Sequence, residues 1–217
     1  MITHEITEEV EIPAGQVRLK GDLIIPADAE AIIVFSHGSG SSRHSSRNKF
    51  VAEKLRQKGF ATLLFDLLTV QEDQDFSKRF DIDLLTERLI RVTKWLHSEQ
   101  KTYGLEIGYF GASTGAAATL QAAAELGDKV KAIVLRGGRP DLAAHKLPLV
   151  KAPTLLIVGS LDYEVIQLNE LAFNLLRCEK KLEIVEDATH LFEEPGKLEE
   201  VARIARTWFH KYLQSVK

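Results

Sequence analysis

Residues 105–127 read LEIGYFGASTGAAATLQAAAELG, and this stretch sets the architecture that we predict for the whole chain. A short apolar run, typical of a strand covered on both faces, is followed by Gly111-Ala112-Ser113-Thr114-Gly115 and then by an alanine-rich helical pattern. A G-x-S-x-G motif between a strand and a helix places the serine hydroxyl on a sharp turn above the end of a sheet. The stretch therefore predicts an α/β fold with Ser113 as a candidate nucleophile.

Strand and helix patterns alternate on both sides of this stretch. Five further apolar runs predict buried strands, at Ala31–Phe35, Ala61–Phe65, Val130–Leu135, Thr154–Val158 and Leu182–Val185. Amphipathic patterns predict helices at Lys49–Lys58 and at residues 84–96, 165–175 and 198–212. Strands that alternate with helices favour a mainly parallel sheet with helices on both faces.

The first 20 residues follow a different pattern. Val10 and Ile12 alternate with polar residues, as do Val17 and Leu19, and Pro13-Ala14-Gly15 between them is a turn signal. This predicts an N-terminal antiparallel hairpin that leads into the parallel part of the sheet. We expect residues 1–217 to form a single α/β domain, because no insertion is long enough for a large second domain.

Composition and charge exclude several classes of protein. The 217 residues carry 28 Lys and Arg against 31 Asp and Glu, a formal net charge of −3, so we expect no nucleic-acid partner. No apolar run approaches the ~20 residues of a membrane span, and the polar start at Met1–Glu11 is not typical of a signal peptide. We therefore expect no membrane partner and a cytoplasmic location. Cys178, the only cysteine, excludes an internal disulfide.

A serine nucleophile needs a base and an acid that orients the base, and both should follow strands at the same edge of the sheet. His37 and His190 both follow predicted strands, and His190 is the better candidate for the base. Asp162, in Gly159-Ser160-Leu161-Asp162, is the candidate acid; Glu164 is a weaker one, and capping the next helix is the alternative role of Asp162. The chain order serine, aspartate, histidine is the order expected of an α/β-hydrolase.

Together these motifs resemble the α/β-hydrolase superfamily, and within it the dienelactone hydrolase-like group. The resemblance covers essentially the whole length and rests on residues 37–40 (HGSG), 111–115 (GASTG), 159–162 (GSLD) and 189–192 (THLF). Dienelactone hydrolase proper has a cysteine at the nucleophile position where this chain has Ser113, which favours an esterase or another acyl hydrolase. The resemblance implies a serine hydrolase of small carboxylic esters or lactones that needs no cofactor and no metal.

The same resemblance implies an oxyanion hole. The N–H of Thr114 and one N–H from the loop after Ala31–Phe35, for which we choose Ser39, would bind the oxyanion. Arg43 and Arg136 lie close in sequence to the predicted site loops, and we predict that they bind a carboxylate or phosphate of the substrate. An equally open interpretation is that these arginines are solvated surface residues.

Other functions remain open at this stage. The same triad serves acyl transfer and amide or peptide cleavage, and a catalytically silent hydrolase fold could act as a binding module. We expect a small-molecule ester or lactone as the partner and a monomer or homodimer as the assembly. Modules that resemble this one are also joined to phosphoribosyltransferase domains in larger proteins, and we expect the 217 residues to contain the hydrolase module alone.

Overall fold

Eight strands form one sheet in the computed structural model, which describes residues 4–214. In chain order the strands are β1 (Ile6–Ala14), β2 (Val17–Ile25), β3 (Ala31–Ser36), β4 (Ala61–Phe65), β5 (Glu106–Ala112), β6 (Ala132–Arg136), β7 (Thr154–Gly159) and β8 (Lys180–Val185). Across the sheet their order is β1-β2-β4-β3-β5-β6-β7-β8. The pairs β1–β2 and β2–β4 are antiparallel, and the five other pairs are parallel. The predicted mainly parallel sheet with an N-terminal hairpin is confirmed.

The helices lie between the strands and, for the last of them, after β8. Within residues 4–214 the α-helices are α1 (Ser46–Arg56), α2 (Val70–Asp73), α3 (Ile82–Ser98), α4 (Gly115–Leu126), α5 (Tyr163–Leu175) and α6 (Lys197–Leu213). In the same described range, three 3-10 helices lie at Phe76–Phe80, Gly127–Lys129 and Pro140–Leu149. None of the helices in this described range is long and apolar enough to cross a membrane.

Two hydrophobic clusters cover the two faces of the sheet. One contains the buried sides of α3 and α4, and the other contains those of α1 and α6. Strand β6 contributes side chains to both clusters. Ile133 and Leu135 belong to the first cluster, and Ala132 and Val134 belong to the second. Because side chains alternate across a strand, a strand covered on both faces is apolar at every position, which explains the continuous apolar runs.

The N-terminal hairpin turns one residue later than the sequence indicates. Pro13 and Ala14 still belong to β1, and Gly15 with Gln16 makes the turn, with Gly15 at φ +76°. The proline is tolerated there because β1 is an edge strand, where a missing N–H need not break a ladder bond. Helix α1 also begins earlier than predicted, because the Ser45 side chain accepts a hydrogen bond from the N–H of Asn48.

Candidate active site

Ser113 lies on a strained turn between β5 and α4. Its φ of +51° is in the left-handed region, which is uncommon for a residue other than glycine. Its N–H donates to the carbonyl oxygen of Arg136 at 3.3 Å, and its own carbonyl accepts from the N–H of Arg139 at 3.0 Å. The end of β6 and the segment after it therefore hold the backbone of Ser113 on both sides. Strain of this kind at a strand–helix turn is typical of a nucleophile position.

The glycines of two motifs let the loop after β3 press against this turn. A Cβ atom on Gly115 would lie 2.3 Å from the carbonyl oxygen of Ser36 and 2.4 Å from that of His37. A Cβ on Gly38 would lie 2.9 Å from the Cβ of Ser113. Both positions exclude any side chain, and this brings the HGSG loop, residues 37–40, into contact with the candidate nucleophile.

Asp162 and His190 meet across the loops that follow β7 and β8. The carboxylate Oδ2 of Asp162 lies 2.6 Å from Nδ1 of His190. Since a carboxylate only accepts, Nδ1 carries the proton and Nε2 is left as the acceptor. Asp162 occupies the N-cap position of α5, as the alternative interpretation expected, but its side chain makes no capping hydrogen bond within residues 4–214.

The histidine ring packs over the turn that also holds the serine. A Cβ on Gly137 would lie 3.3 Å from both Cε1 and Nδ1 of His190, and Gly137 has φ +52°. Gly137 directly follows Arg136, whose carbonyl binds the N–H of Ser113. Ser113 and His190 therefore both contact the turn formed by Arg136 and Gly137. Sequence reasoning missed this part of the site, although the Gly137-Gly138 pair after a strand was a usable signal.

His37 is buried and holds the HGSG loop in place. Its Nδ1 donates to the carbonyl oxygen of Gly38 at 2.9 Å, and its Nε2 accepts from the N–H of Leu67 at 3.1 Å. Burial lowers the pKa of His37 below the ordinary value of 6.5. With both nitrogens engaged and the ring neutral, His37 has the contacts of a positioning residue rather than those of a base.

We expect acid to destabilise the protein through His37. Between its lowered folded-state pKa and the ordinary 6.5, the unfolded chain binds more protons than the folded chain. Stability is therefore present above pH 6.5 and is lost as the pH falls through the folded-state pKa. Urea unfolding between pH 7.5 and 5 should show a smaller pH dependence for His37→Gln than for wild type. His145→Gln, which removes an exposed histidine, is the control and should keep the wild-type slope. Equal slopes for wild type and His37→Gln would contradict the expectation.

Ser39 and Thr114, the two predicted oxyanion donors, are brought together by the structure. The N–H of Ser39 donates to the hydroxyl Oγ1 of Thr114 at 2.8 Å. This places the HGSG loop at the start of α4. The Ser39 N–H is therefore already hydrogen-bonded. It could bind an oxyanion only after its hydrogen bond to the Thr114 hydroxyl breaks.

Arg43 does not have a guanidinium free for a substrate. Its side chain is only 10% exposed, and it pairs with Asp66 at 2.6 Å, Glu9 at 2.9 Å and Asp22 at 3.3 Å. Three carboxylates around one guanidinium group give this position a net negative charge, which disfavours the binding of an anionic ligand. This placement argues against the predicted substrate contact, and it ties the loop after β3 to β1, β2 and the end of β4.

Arg136, the second predicted anion contact, is buried at the end of β6. Its Nη2 lies 3.5 Å from Oδ1 of Asn48 in the first turn of α1. Burial, followed by the nearby charge of Arg47, lowers the pKa of Arg136 to about 10. No group of three or more His, Cys, Asp or Glu side chains that could hold a metal ion is found within residues 4–214.

Comparison with known proteins identifies the relatives of this chain. The family model described as the dienelactone hydrolase family matches residues 19–215. A dienelactone hydrolase structure from Anabaena variabilis is 52% identical and superposes with a TM-score of 0.94, covering 97% of this chain and 100% of that chain. Est1E from Butyrivibrio proteoclasticus is 15% identical with a TM-score of 0.80, over 94% of this chain and 98% of that chain, and shows a shared fold alone.

Two curated relatives are longer proteins. They come from two strains of Mycobacterium tuberculosis, are named "Putative phosphoribosyl transferase", and are 54% identical over 206 residues. The match covers 95% of this chain but 46% of those proteins, so the chain spans about half the length of the curated relatives it matches.

Proposed function

Because the chain belongs to the dienelactone hydrolase family, we propose that it cleaves a small carboxylic ester or lactone through an acyl-enzyme on Ser113. The observation that carries this proposal is the 2.6 Å hydrogen bond between Asp162 and His190, beside the strained turn of Ser113. Family membership supports the reaction class. The serine in place of a cysteine supports simple ester hydrolysis over the chemistry of dienelactone hydrolase proper.

The proposed reaction follows from the tautomer of His190. With Nδ1–H donated to Asp162, Nε2 accepts the proton of the Ser113 hydroxyl while Oγ attacks the acyl carbon. Collapse of the tetrahedral intermediate breaks the ester C–O bond, and His190 returns the proton to the departing alkoxide. Water, deprotonated by Nε2, then attacks the acyl-enzyme, and the acid and the free serine are released.

Two backbone donors are proposed for the oxyanion. The N–H of Thr114 lies at the N-terminal end of α4, where the helix dipole favours negative charge. The N–H of Ser39 would transfer from the Thr114 hydroxyl, 2.8 Å away, to the oxyanion when substrate binds. Each donor of this kind is worth about 2.7–4 kcal/mol of transition-state stabilisation.

We assign no phosphoribosyl transfer to this chain. The name of the curated relatives refers to proteins of which this chain matches 46%, and the family that matches here is a hydrolase family. The same triad can also catalyse acyl transfer and amide cleavage. These reactions differ from ester hydrolysis only in the acceptor or the leaving group.

A fluorophosphonate probe tests the proposal directly. We expect intact-mass measurement of the folded wild type to show one adduct, and peptide mapping to place it on Ser113. The heat-unfolded protein is the control and should remain unlabelled, because labelling requires the assembled triad. Folded protein without an adduct, and without turnover of a panel of short esters and lactones, would contradict the proposal and favour a silent binding module.

A further inference from the structure

Arg136 is a buried cation without a carboxylate partner. Its side chain is 7% exposed, its one hydrogen bond among residues 4–214 is the 3.5 Å contact with Asn48, and its Nε has no partner there. A buried charge that nothing compensates is strongly unfavourable, and buried guanidinium groups are normally paired. The burial of Arg136 therefore points to an anion that the protein itself does not supply.

A second arginine lies beside it. Arg47 lies in the first turn of α1 and directly precedes Asn48, whose Oδ1 contacts the Arg136 guanidinium. Second to burial, the charge of Arg47 lowers the pKa of Arg136. The Nε of Arg47 is also buried without a partner among the described residues, and its Nη1 donates to Glu193 at 2.8 Å. Both arginines thus border the first turn of α1, and each has an unused donor among the described residues. Glu193 is three residues beyond His190.

The position of this pair relates it to Ser113. The carbonyl of Arg136 binds the N–H of Ser113, and the next residue, Gly137, contacts the His190 ring. Side chains alternate along β6, so Arg136 shares the face of Ala132 and Val134, which α1 and α6 cover. The two arginines therefore lie between the end of β6, α1 and the loop that carries His190.

Two neighbouring arginines, Arg139 and Arg43, differ from Arg136 because they are paired with carboxylates. Arg139 donates from Nε and from Nη2 to Asp141, both at 2.9 Å, and Arg43 pairs with three carboxylates. Both are neutralised by the protein itself, as surface and structural arginines usually are. Their contrast with Arg136 shows that an unpaired guanidinium is not a general feature of this end of the sheet.

We propose that Arg136 and Arg47 form a binding site for an oxyanion group, a carboxylate or a phosphate, carried by the ester that Ser113 attacks. Guanidinium groups bind both anions through parallel N–H donors, and a negative group between the two arginines relieves their mutual repulsion. The identification of the ligand as an ester rests on the proposed function, whereas the anion site rests on Arg136 and Arg47 alone.

Binding is tested without reference to activity. The thermal midpoint Tm of the full chain is measured in chloride and in inorganic phosphate at equal ionic strength. For wild type, phosphate at about 100 times its Kd should raise Tm by roughly 5–10 °C. Arg136→Met and Arg47→Met should each lose most of this rise, and Arg139→Met, which removes a paired arginine, should keep it. No phosphate-specific rise in wild type, or an undiminished rise in both Arg136→Met and Arg47→Met, would overturn the proposal.

The second measurement asks whether the anion belongs to the substrate. Two short esters of equal size, one with a carboxylate and one with an amide in its place, are compared by kcat/KM. Arg136→Met should lower the preference for the anionic ester by roughly 10- to 100-fold, the worth of a charged hydrogen bond. Unchanged preference with phosphate binding intact would mean that the site takes a free anion, which overturns the substrate assignment. Phosphate binding in a protein that gives no fluorophosphonate adduct and turns over no ester or lactone of the panel would refute the proposed function and leave the anion site standing.

Discussion

Replacing Ser113 with alanine is expected to lower kcat for a short ester by about a million-fold, the size of the loss when the nucleophile of a serine triad is removed. The reason is that no other group can form the acyl-enzyme at this turn. Alanine keeps the Cβ and leaves the backbone hydrogen bonds of residue 113 to Arg136, Arg139 and Ala116 in place, at 3.3, 3.0 and 3.1 Å, so the fold should survive. The measurement is the rate of ester hydrolysis together with the intact mass after fluorophosphonate treatment.

The control for this experiment is Ser41→Ala, which removes a hydroxyl from the loop after β3 and leaves Ser113 in place. It should keep the fluorophosphonate adduct and turnover close to wild type. A Ser113→Ala protein that is folded and still labelled on one residue would show that the nucleophile lies elsewhere. A folded variant with wild-type turnover would refute the acyl-enzyme mechanism as a whole.

Replacing Asp162 with asparagine should lower kcat by about 10⁴-fold, as the same change does in other serine-triad enzymes. The carboxylate at 2.6 Å accepts the Nδ1 proton of His190, whereas the amide of asparagine can donate to Nδ1 and favour the tautomer with the proton on Nε2. That tautomer cannot accept the serine proton. The fold should survive, because the Asp162 side chain makes no capping hydrogen bond to α5 within the described chain. The measurement is kcat at neutral pH on the ester used for Ser113→Ala.

Two further variants separate Asp162 from the other acids near it in sequence. Glu164→Gln tests the alternative acid, and Asp187→Asn changes a carboxylate three residues before His190. We expect both to retain activity within a few-fold of wild type. If Glu164→Gln caused the large loss and Asp162→Asn did not, the acid would be assigned to Glu164 and the proposed triad would be wrong at that position.

The strands covered on both faces were predictable from sequence to within two residues; β6, predicted at Val130–Leu135, spans Ala132–Arg136. The runs at residues 31–35, 61–65 and 154–158 match β3, β4 and β7 to within one residue. Strand β8 begins at Lys180, two residues before the prediction, because it is an edge strand and its first half is polar and partly exposed. Periodicity detects burial rather than hydrogen bonding, so the exposed part of an edge strand carries no apolar signal.

For the candidate site, too, the sequence predicted some residues and could not decide the role of others. Motif spacing and chain order proposed Ser113, Asp162 and His190, because each follows a strand whose carboxyl end meets the others at one edge of the sheet. The same reasoning could not rank the arginines. Arg43 is neutralised by Glu9, Asp22 and Asp66, which come from three separate segments of the chain.

By itself, the sequence was enough to establish the α/β architecture and the resemblance to dienelactone hydrolases, since both follow from local patterns and from the order of short motifs. Tertiary contacts alone showed that His37 holds a loop through Leu67, that Asp162 meets His190, and that Arg136 is the buried arginine without a carboxylate. The physical reason is that a side chain's role depends on its burial and its partners. Those partners come from segments 28 to 88 residues apart, and no local pattern records them.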